Sequence, residues 1–519
     1  MVSLPGDSEL FEVLAKTVAI GPGAHDRVEV RTPFTGAVLG ALPAARAEDV
    51  ELAVRLARAA QARWAERTSG ERAGIFLRFH DLLLRRQEEA LDLIQMESGK
   101  ARGHASEEIL DTAIVARYYA RRAGRFLRPR RRKGALPLLT YTREFRVPFG
   151  VVGFITPWNF PLTLGITDAI AALLAGNAAI VKPDPQASFT VLWAAKLLRE
   201  AGLPEGVLSI VTGDGAVTGQ ALVDRADYIT FTGSNRVGRT IAARAGERLT
   251  GCALELGGKN PLLVLRDADL SKAVEGIARA CFVGAGQVCV STERIYVEQP
   301  VFGQFLDAFA ARTRRLALGA AFDYSMEVGS LTTAAQIARV EEHVRDAVEK
   351  GARVVTGGRR RTDLGPLFFE PTVLTGVREG MRVFAEETFG PVVSVYPVAD
   401  ETEAIERANA TDFGLSASIW TGNARKGARI ARAIRAGSVN VNEGYSAAWG
   451  SIDSPIGGMK ESGLRPRHGA EGMLKFTESQ TIAVQRLVPI APSFGMSQAF
   501  FVRLMTRLLR ILRWTPWLG

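Results

Sequence analysis

Cysteine is scarce in this 519-residue chain: there are three, Cys252, Cys281 and Cys289. So small and odd a set makes no disulfide framework, and the chain reads as an intracellular, cytoplasmic protein with reduced thiols. Long apolar runs are missing too; nowhere do about 18 apolar residues follow one another, which argues against a membrane-spanning helix. Histidine is sparse, and His25, His80, His104, His343 and His468 show no zinc-ligand spacing, so no metal site is expected. Asp7, Glu9 and Glu12 interrupt the start of the chain, and no secretory signal is expected there. Internal repeats and low-complexity tracts are absent.

What is present is a globular composition, 47% hydrophobic and 23% charged, which disfavours a mainly disordered chain or a collagen-like repeat. The length suggests about three domains, or two large ones with an appendage. Lys and Arg number 65 against 55 Asp and Glu, a net charge of +10 that bears on solubility and partners rather than on fold. The basic run from Arg128 to Lys133 reads as a solvated linker, since a nucleic-acid interface needs a wider basic face with stacking or base-reading groups.

From Ala47 to Arg122 apolar residues recur at three-and-four spacing, the mark of amphipathic helices. Beyond Val147 short Val- and Ile-rich runs alternate with longer amphipathic stretches. Strands are predicted at Gly150 to Ile155, Ala178 to Val181, Val207 to Val211 and Tyr228 to Phe231. Helices fall between them, at Leu162 to Leu174, Ser188 to Ala201 and Val217 to Val223. Such an order implies βαβ units and a buried parallel sheet. A second α/β stretch follows Asn260, with strands near Leu262 to Val264 and Ile295 to Val297. Thr140 to Val147 and Thr477 to Gln485 are strand-like and distant in sequence; they are expected to pair into a small sheet whose edge meets another subunit.

Three residue types in this pattern could carry acyl chemistry. Cys289 follows Gly284-Ala285-Gly286-Gln287-Val288, where small residues let other groups approach a thiol, which is a competent nucleophile once ionised or paired with a base. Glu255 heads the glycine-rich Leu256-Gly257-Gly258 turn; desolvated there, its pKa would rise toward that of a general base near neutral pH. Asn159 sits between Pro157 and Pro161 after a predicted strand, where its amide can donate to an oxyanion. Taken singly, each is equally an inert thiol, a solvated carboxylate or a turn asparagine. Lys182 and the Gly233-Ser234 turn with Gly238 lie at the carboxyl ends of predicted parallel strands, where an anionic nucleotide binds. Four residues separate Gly233 from Gly238, so this is not the common dinucleotide fingerprint. A thiol esterase or acyl transferase could use the same Cys289 and Glu255.

Together these motifs resemble the NAD(P)-dependent aldehyde dehydrogenase superfamily, over about Val30 to Thr481. The resemblance rests on their order: Trp158-Asn159, Lys182 before Pro183, Gly233, Glu255 before Gly257-Gly258, Cys289, Glu387-Thr388-Phe389-Gly390-Pro391 and Asn442. Within it the chain is most similar to the actinobacterial type of succinate-semialdehyde dehydrogenase. The resemblance implies an α/β fold with a Rossmann-type cofactor domain, an α/β catalytic domain and a small oligomerisation sheet. It also implies that Cys289 attacks an aldehyde, Asn159 holds the oxyanion and Glu255 activates water. Lys182 would contact the adenosine ribose of NADP or NAD, Glu387 the nicotinamide ribose, and Phe389 and Trp158 would line the cofactor site beside Gly233, Ser234 and Gly238.

The expected domains are 1–127 with 149–258 for cofactor, 259–470 for catalysis, and 128–148 with 471–490 for assembly into a homodimer or homotetramer. Residues 491–519 form an extension, in which Arg503, Arg507, Arg510 and Arg513 alternate with apolar residues as in a basic amphipathic helix that can lie on an anionic membrane. Two arginines that clamp a substrate carboxylate in better-characterised succinate-semialdehyde enzymes are replaced by Val283 and Thr167, which admits an apolar or aromatic aldehyde. Pro185 stands where NAD-preferring relatives place a glutamate, so NADP is expected to be accepted. Ser291 stands where some relatives carry a second cysteine, and no redox switch is expected.

Overall fold

The computed structural model describes residues 8–135, 140–486 and 489–514. Asp7 and the last five residues of the extension lie outside them. Four helices, Ala47–Glu66, Ser69–Arg85, Gln87–Ser98 and Arg102–Leu127, account for the periodic N-terminal third. Thr68 starts the second of these with a reciprocal cap: its hydroxyl accepts from Glu71 N, and the Glu71 carboxylate accepts from Thr68 N.

Two sheets organise the rest. The first runs, in spatial order, Gly463–Leu464, Gly251–Glu255, Tyr228–Thr232, Val151–Thr156, Ala178–Pro183 and Leu208–Ile210. All its neighbours are parallel except the Gly463–Leu464 edge. Val151, Val152, Ile180, Val181 and Ile229 are almost wholly buried, as a sheet covered by helices on both faces requires. From Val151–Thr156 the chain first builds outward through Ala178–Pro183. It then returns to add Tyr228–Thr232 on the opposite side, so a topological switch point opens at the carboxyl end of Val151–Thr156.

The second sheet has seven strands, ordered Arg353–Thr356, Thr372–Thr375, Val392–Val398, Thr292–Glu298, Asn260–Val264, Ser416–Trp420 and Ser438–Val441. Only the Arg353–Thr356 edge is antiparallel. It has a hydrophobic core of its own around Leu262, Ile295, Phe305 and Val393.

Thr140–Pro148 and Thr477–Gln485 pair antiparallel along their whole length, Thr140 opposite Gln485 and Pro148 opposite Thr477. The basic run departs from a linker. Arg130–Arg132 adds a third strand, with Arg132 ion-paired to Glu144 and all three side chains exposed, because a backbone beside an open strand edge gains its ladder bonds. The Val217–Val223 helix also differs in detail: the chain winds first as a wide Gly215–Gly219 turn, capped by Asp214 on Ala216 N, and becomes regular at Gln220–Arg225. No described helix is long and apolar enough to cross a membrane. Helix Gln498–Leu512 in the extension forms as the sequence pattern implies, with none of its residues buried.

Candidate active site

The switch point and the facing ends of the second sheet enclose one cleft. Pro157-Trp158-Asn159 leaves the Val151–Thr156 strand, and Gly233-Ser234 leaves its neighbour Tyr228–Thr232. Cys289, Glu387 and Phe389 arrive from loops that precede strands of the other sheet, and all of these line the cleft.

Cys289 ends a short turn with unusual backbone. Gly284, Ala285 and Gly286 have φ of 55°, 55° and 72°, the left-handed region that glycine adopts without strain. A Cβ on Gly286 would stand 2.1 Å from the Gly390 carbonyl oxygen, so the loop is pressed against the Phe389-Gly390 turn. Asn260 Nδ2 donates to the carbonyls of Cys289 and Ser291, both at 2.7 Å, and fixes the far side of the loop. Burial raises the Cys289 thiol to about 12, with the Glu255 and Glu387 carboxylates adding to the rise and Arg467 opposing it. In this state the sulfur is a thiol. Cys281, by contrast, lies in the hydrophobic core.

Asn159 is 95% buried, and its Nδ2 donates to the Gln287 carbonyl at 2.8 Å, which leaves its second amide hydrogen free to serve another acceptor. Its own carbonyl accepts from Lys100 Nζ at 2.7 Å. Lys100 is ion-paired to Glu108 at 2.6 Å, and both side chains are sealed from solvent. Glu108 also takes the N–H groups of Leu162 and Thr163 at the start of helix Pro161–Leu174. A buried charge pair thus holds the loop that carries the amide.

Glu255 ends its strand, its carbonyl accepting from Gly233 N at 3.0 Å. Burial pushes the carboxyl up to about 7, Arg467 and Lys475 restrain the rise, and its Oε1 has no hydrogen-bond partner. Cys289, Glu255 and Arg467 line one chamber. Arg467 donates to Thr167 Oγ1 at 3.0 Å and lies 3.6 Å from Asp168. Burial would raise the Asp168 carboxyl, but Arg467 and Lys475 more than offset it. Thr167, a position noted for lacking a substrate-binding arginine, therefore serves to seat a different one.

On the nucleotide side, Trp158 and Phe389 meet edge-to-face with centroids 5.6 Å apart. Phe389 has φ of +56° and is held there by its N–H, which donates to Glu293 at 3.0 Å. Glu293 is in turn ion-paired to buried Lys259. Glu387 Oε1 accepts from Gly258 N at 2.8 Å, and burial brings its carboxyl to about 7. Ser234, which lines the cleft, makes no side-chain cap to helix Asn235–Glu247. These residues fit a dinucleotide. Lys182 is buried at the carboxyl end of Ala178–Pro183, its ammonium pKa lowered by burial against the pull of Asp184 and Asp214. Gly238 is needed for packing: a Cβ there would meet Leu256 at 2.6 Å.

Sequence reasoning overlooked the supports. Lys259 lies four residues after Glu255 and Glu293 four after Cys289, so the ion pair between them ties the two motifs together at the same offset. That spacing was the available signal. Lys100, Glu108 and Arg467 gave none, because a lone charged residue reads as solvated until its burial is known.

A buried thiol, an amide donor and a carboxyl of raised pKa beside a switch-point cleft form a site suited to thiol chemistry next to a bound nucleotide. The chain belongs to the Aldehyde dehydrogenase family, which it matches over residues 21–482. A Mycolicibacterium smegmatis protein is 49% identical over 507 residues, 98% of each chain, and a Mycobacterium tuberculosis protein 47% identical over 510 residues, again 98% of each. Both names are provisional and denote NADP(+)-linked succinate-semialdehyde dehydrogenase. The NAD+ complex of aldehyde dehydrogenase from Bacillus cereus superposes with a TM-score of 0.87 at 33% identity, covering 93% of this chain and 99% of that one. The protein is an NAD(P)-dependent enzyme that oxidises an aldehyde.

Proposed function

We propose that Cys289, Asn159 and Glu255 carry out the oxidation of an aldehyde to its carboxylic acid. What supports this is the convergence of all three on cavities that adjoin the nucleotide cleft. The Cys289 sulfur adds to the carbonyl carbon, and the Asn159 amide with the Cys289 N–H receives the oxygen's charge. Trp158, Glu387 and Phe389 would hold the nicotinamide end of NADP or NAD, which would supply the hydride acceptor. Glu255, half-ionised near pH 7, draws a proton from water that displaces the thiolate and frees the acid. It can also take the thiol proton, which a sulfur held at about 12 requires.

NADP is the proposed partner. Pro185, three residues after Lys182, adds no carboxylate of its own there, and the mycobacterial relatives are named for NADP(+). Those names bring succinate semialdehyde forward as a substrate. The walls support a wider class, since Val283, Val288, Tyr445 and Phe160 form an apolar cluster around the approach to Cys289. Nucleotide reduction followed by absorbance with an aldehyde panel tests the reading. Wild type should turn over and Cys289→Ala should not; turnover by the alanine variant would overturn it.

Two further proposals concern assembly and location. The Thr477–Gln485 edge, with most of its residues exposed, supports a cytoplasmic homodimer or homotetramer, checked by light scattering at micromolar concentration. Helix Gln498–Leu512, with its exposed apolar residues and four nearby arginines, supports contact with an anionic membrane surface. Liposome co-sedimentation unchanged by deleting 497–519 would refute that.

A further inference from the structure

Gly284 follows the end of helix Leu270–Phe282 and opens the buried, left-handed turn that leads to the thiol. A backbone N–H that leaves a helix into such a turn needs an acceptor from elsewhere in the chain. Gly284 N donates to His104 Nδ1 at 3.1 Å, across 180 residues of sequence. His104 lies in the first turn of helix Arg102–Leu127, four residues after Lys100.

An amide N–H only donates, so Nδ1 is the bare nitrogen of the ring and the single imidazole proton sits on Nε2. The surroundings agree with a neutral ring. Burial lowers the His104 pKa to about 4, Lys100 and Arg279 add to the fall, and Glu327 opposes it.

From Gly284 the hydrogen bonds lead inward. The Gly284 carbonyl accepts from Gln287 twice, from its backbone N at 3.1 Å and from its Nε2 at 3.0 Å. Gln287 Oε1 accepts from Thr332 N at 3.0 Å, and the Gln287 carbonyl accepts from Asn159 Nδ2 at 2.8 Å. The Asn159 carbonyl in turn accepts from Lys100 Nζ. One short segment, Lys100 to His104, thus holds both loops: the ammonium group has the loop of Asn159, and the imidazole has the loop of Cys289. Neither His104 nor Gly284 lines the nucleotide cleft.

Building on the roles given above to Cys289 and Asn159, we infer that His104 is a positioning residue for the oxidation: as a neutral acceptor on Gly284 N, it fixes the thiol loop and the oxyanion amide relative to each other. A side chain that only filled space at the start of its helix would need bulk there. A positioning residue needs an acceptor where Nδ1 stands.

Three variants separate these roles. His104→Asn keeps an oxygen near the Nδ1 position, His104→Leu has the same branched shape without an acceptor, and His104→Gln carries its oxygen one bond farther out, toward the Nε2 position. Each is measured for the pre-steady-state burst of nucleotide reduction at saturating aldehyde and NADP, and for NADP affinity by fluorescence titration. His104→Leu and His104→Gln should lose about tenfold or more in burst rate while His104→Asn stays within about threefold of wild type, since small misplacements of reacting groups cost up to about 10²-fold. NADP affinity should stay within about twofold of wild type in all three, as the cleft that would hold it is untouched. A wild-type burst in His104→Leu, or a His104→Asn as slow as His104→Leu, would overturn the inference while leaving aldehyde oxidation intact. If His104→Leu does not fold, equal burst rates in His104→Asn and His104→Gln would overturn it. A wild-type enzyme that reduces no nucleotide with any aldehyde would overturn the oxidation itself.

Discussion

Arg467 sets the proton affinity of Glu255, and replacing it should move the pH dependence of turnover. Glu255 stands at about 7 because burial outweighs the restraint, of which Arg467 is the largest part and Lys475 the next. With that value the basic fraction is about a tenth at pH 6 and about nine-tenths at pH 8, so kcat should rise close to tenfold across this interval wherever thioester hydrolysis limits it. Removing an opposite charge at close range raises a carboxyl by about one unit or more. In Arg467→Met the midpoint should therefore climb to about 8 or above. The ionised fraction at pH 7 then falls from about a half to about a tenth, a fivefold loss recovered by pH 9. Arg467→Lys keeps the charge and should keep most of the wild-type midpoint. Steady-state nucleotide reduction against pH reads the hydrolytic step, and the pre-steady-state burst isolates the steps before it. Loss at every pH without a shift, or a shift downward, would refute the electrostatic role and leave Arg467 as packing only.

Three other outcomes follow from the same geometry. Lys100→Met strands the Glu108 carboxylate in the core and should cost about 3–5 kcal/mol, seen by denaturant or thermal unfolding, together with kcat lost through the Asn159 loop; an unchanged midpoint would be contrary. Gly286→Ala places a methyl group against the Gly390 carbonyl at a φ of +72°, and kcat/KM should drop more than tenfold in steady-state assay. Pro185→Glu restores a carboxylate near the ribose end of the site, so kcat/KM with NADP should fall about tenfold relative to NAD, and equal effects on the two nucleotides would contradict the assignment.

The elements of the fold were legible where burial is periodic. The Val- and Ile-rich runs around Val151, Ile180 and Ile229 are strands on two covered faces, and the small sheet was found from two strand-like segments that share no other signal. Cys289, Glu255 and Asn159 were legible as motifs, and the structure brings them together. The Arg128–Lys133 run was misjudged because charge describes side chains, whereas strand pairing there is a matter of backbone. Arg467 was invisible for a deeper reason: its role depends on desolvation, a property of the packed interior rather than of neighbours in sequence.

The short strand Gly463–Leu464 has a consequence for dissecting the enzyme. After building the seven-stranded sheet, the chain crosses back, pairs with the strand that ends in Glu255, delivers Arg467 to the catalytic chamber and anchors Met473 and Phe476 in the first core. The two halves are stitched by a return thread rather than joined by one hinge. A fragment cut after the second sheet would lack the edge beside Glu255, so split-enzyme complementation must keep residues 463–476 with the N-terminal piece, supplied if need be as a separate peptide.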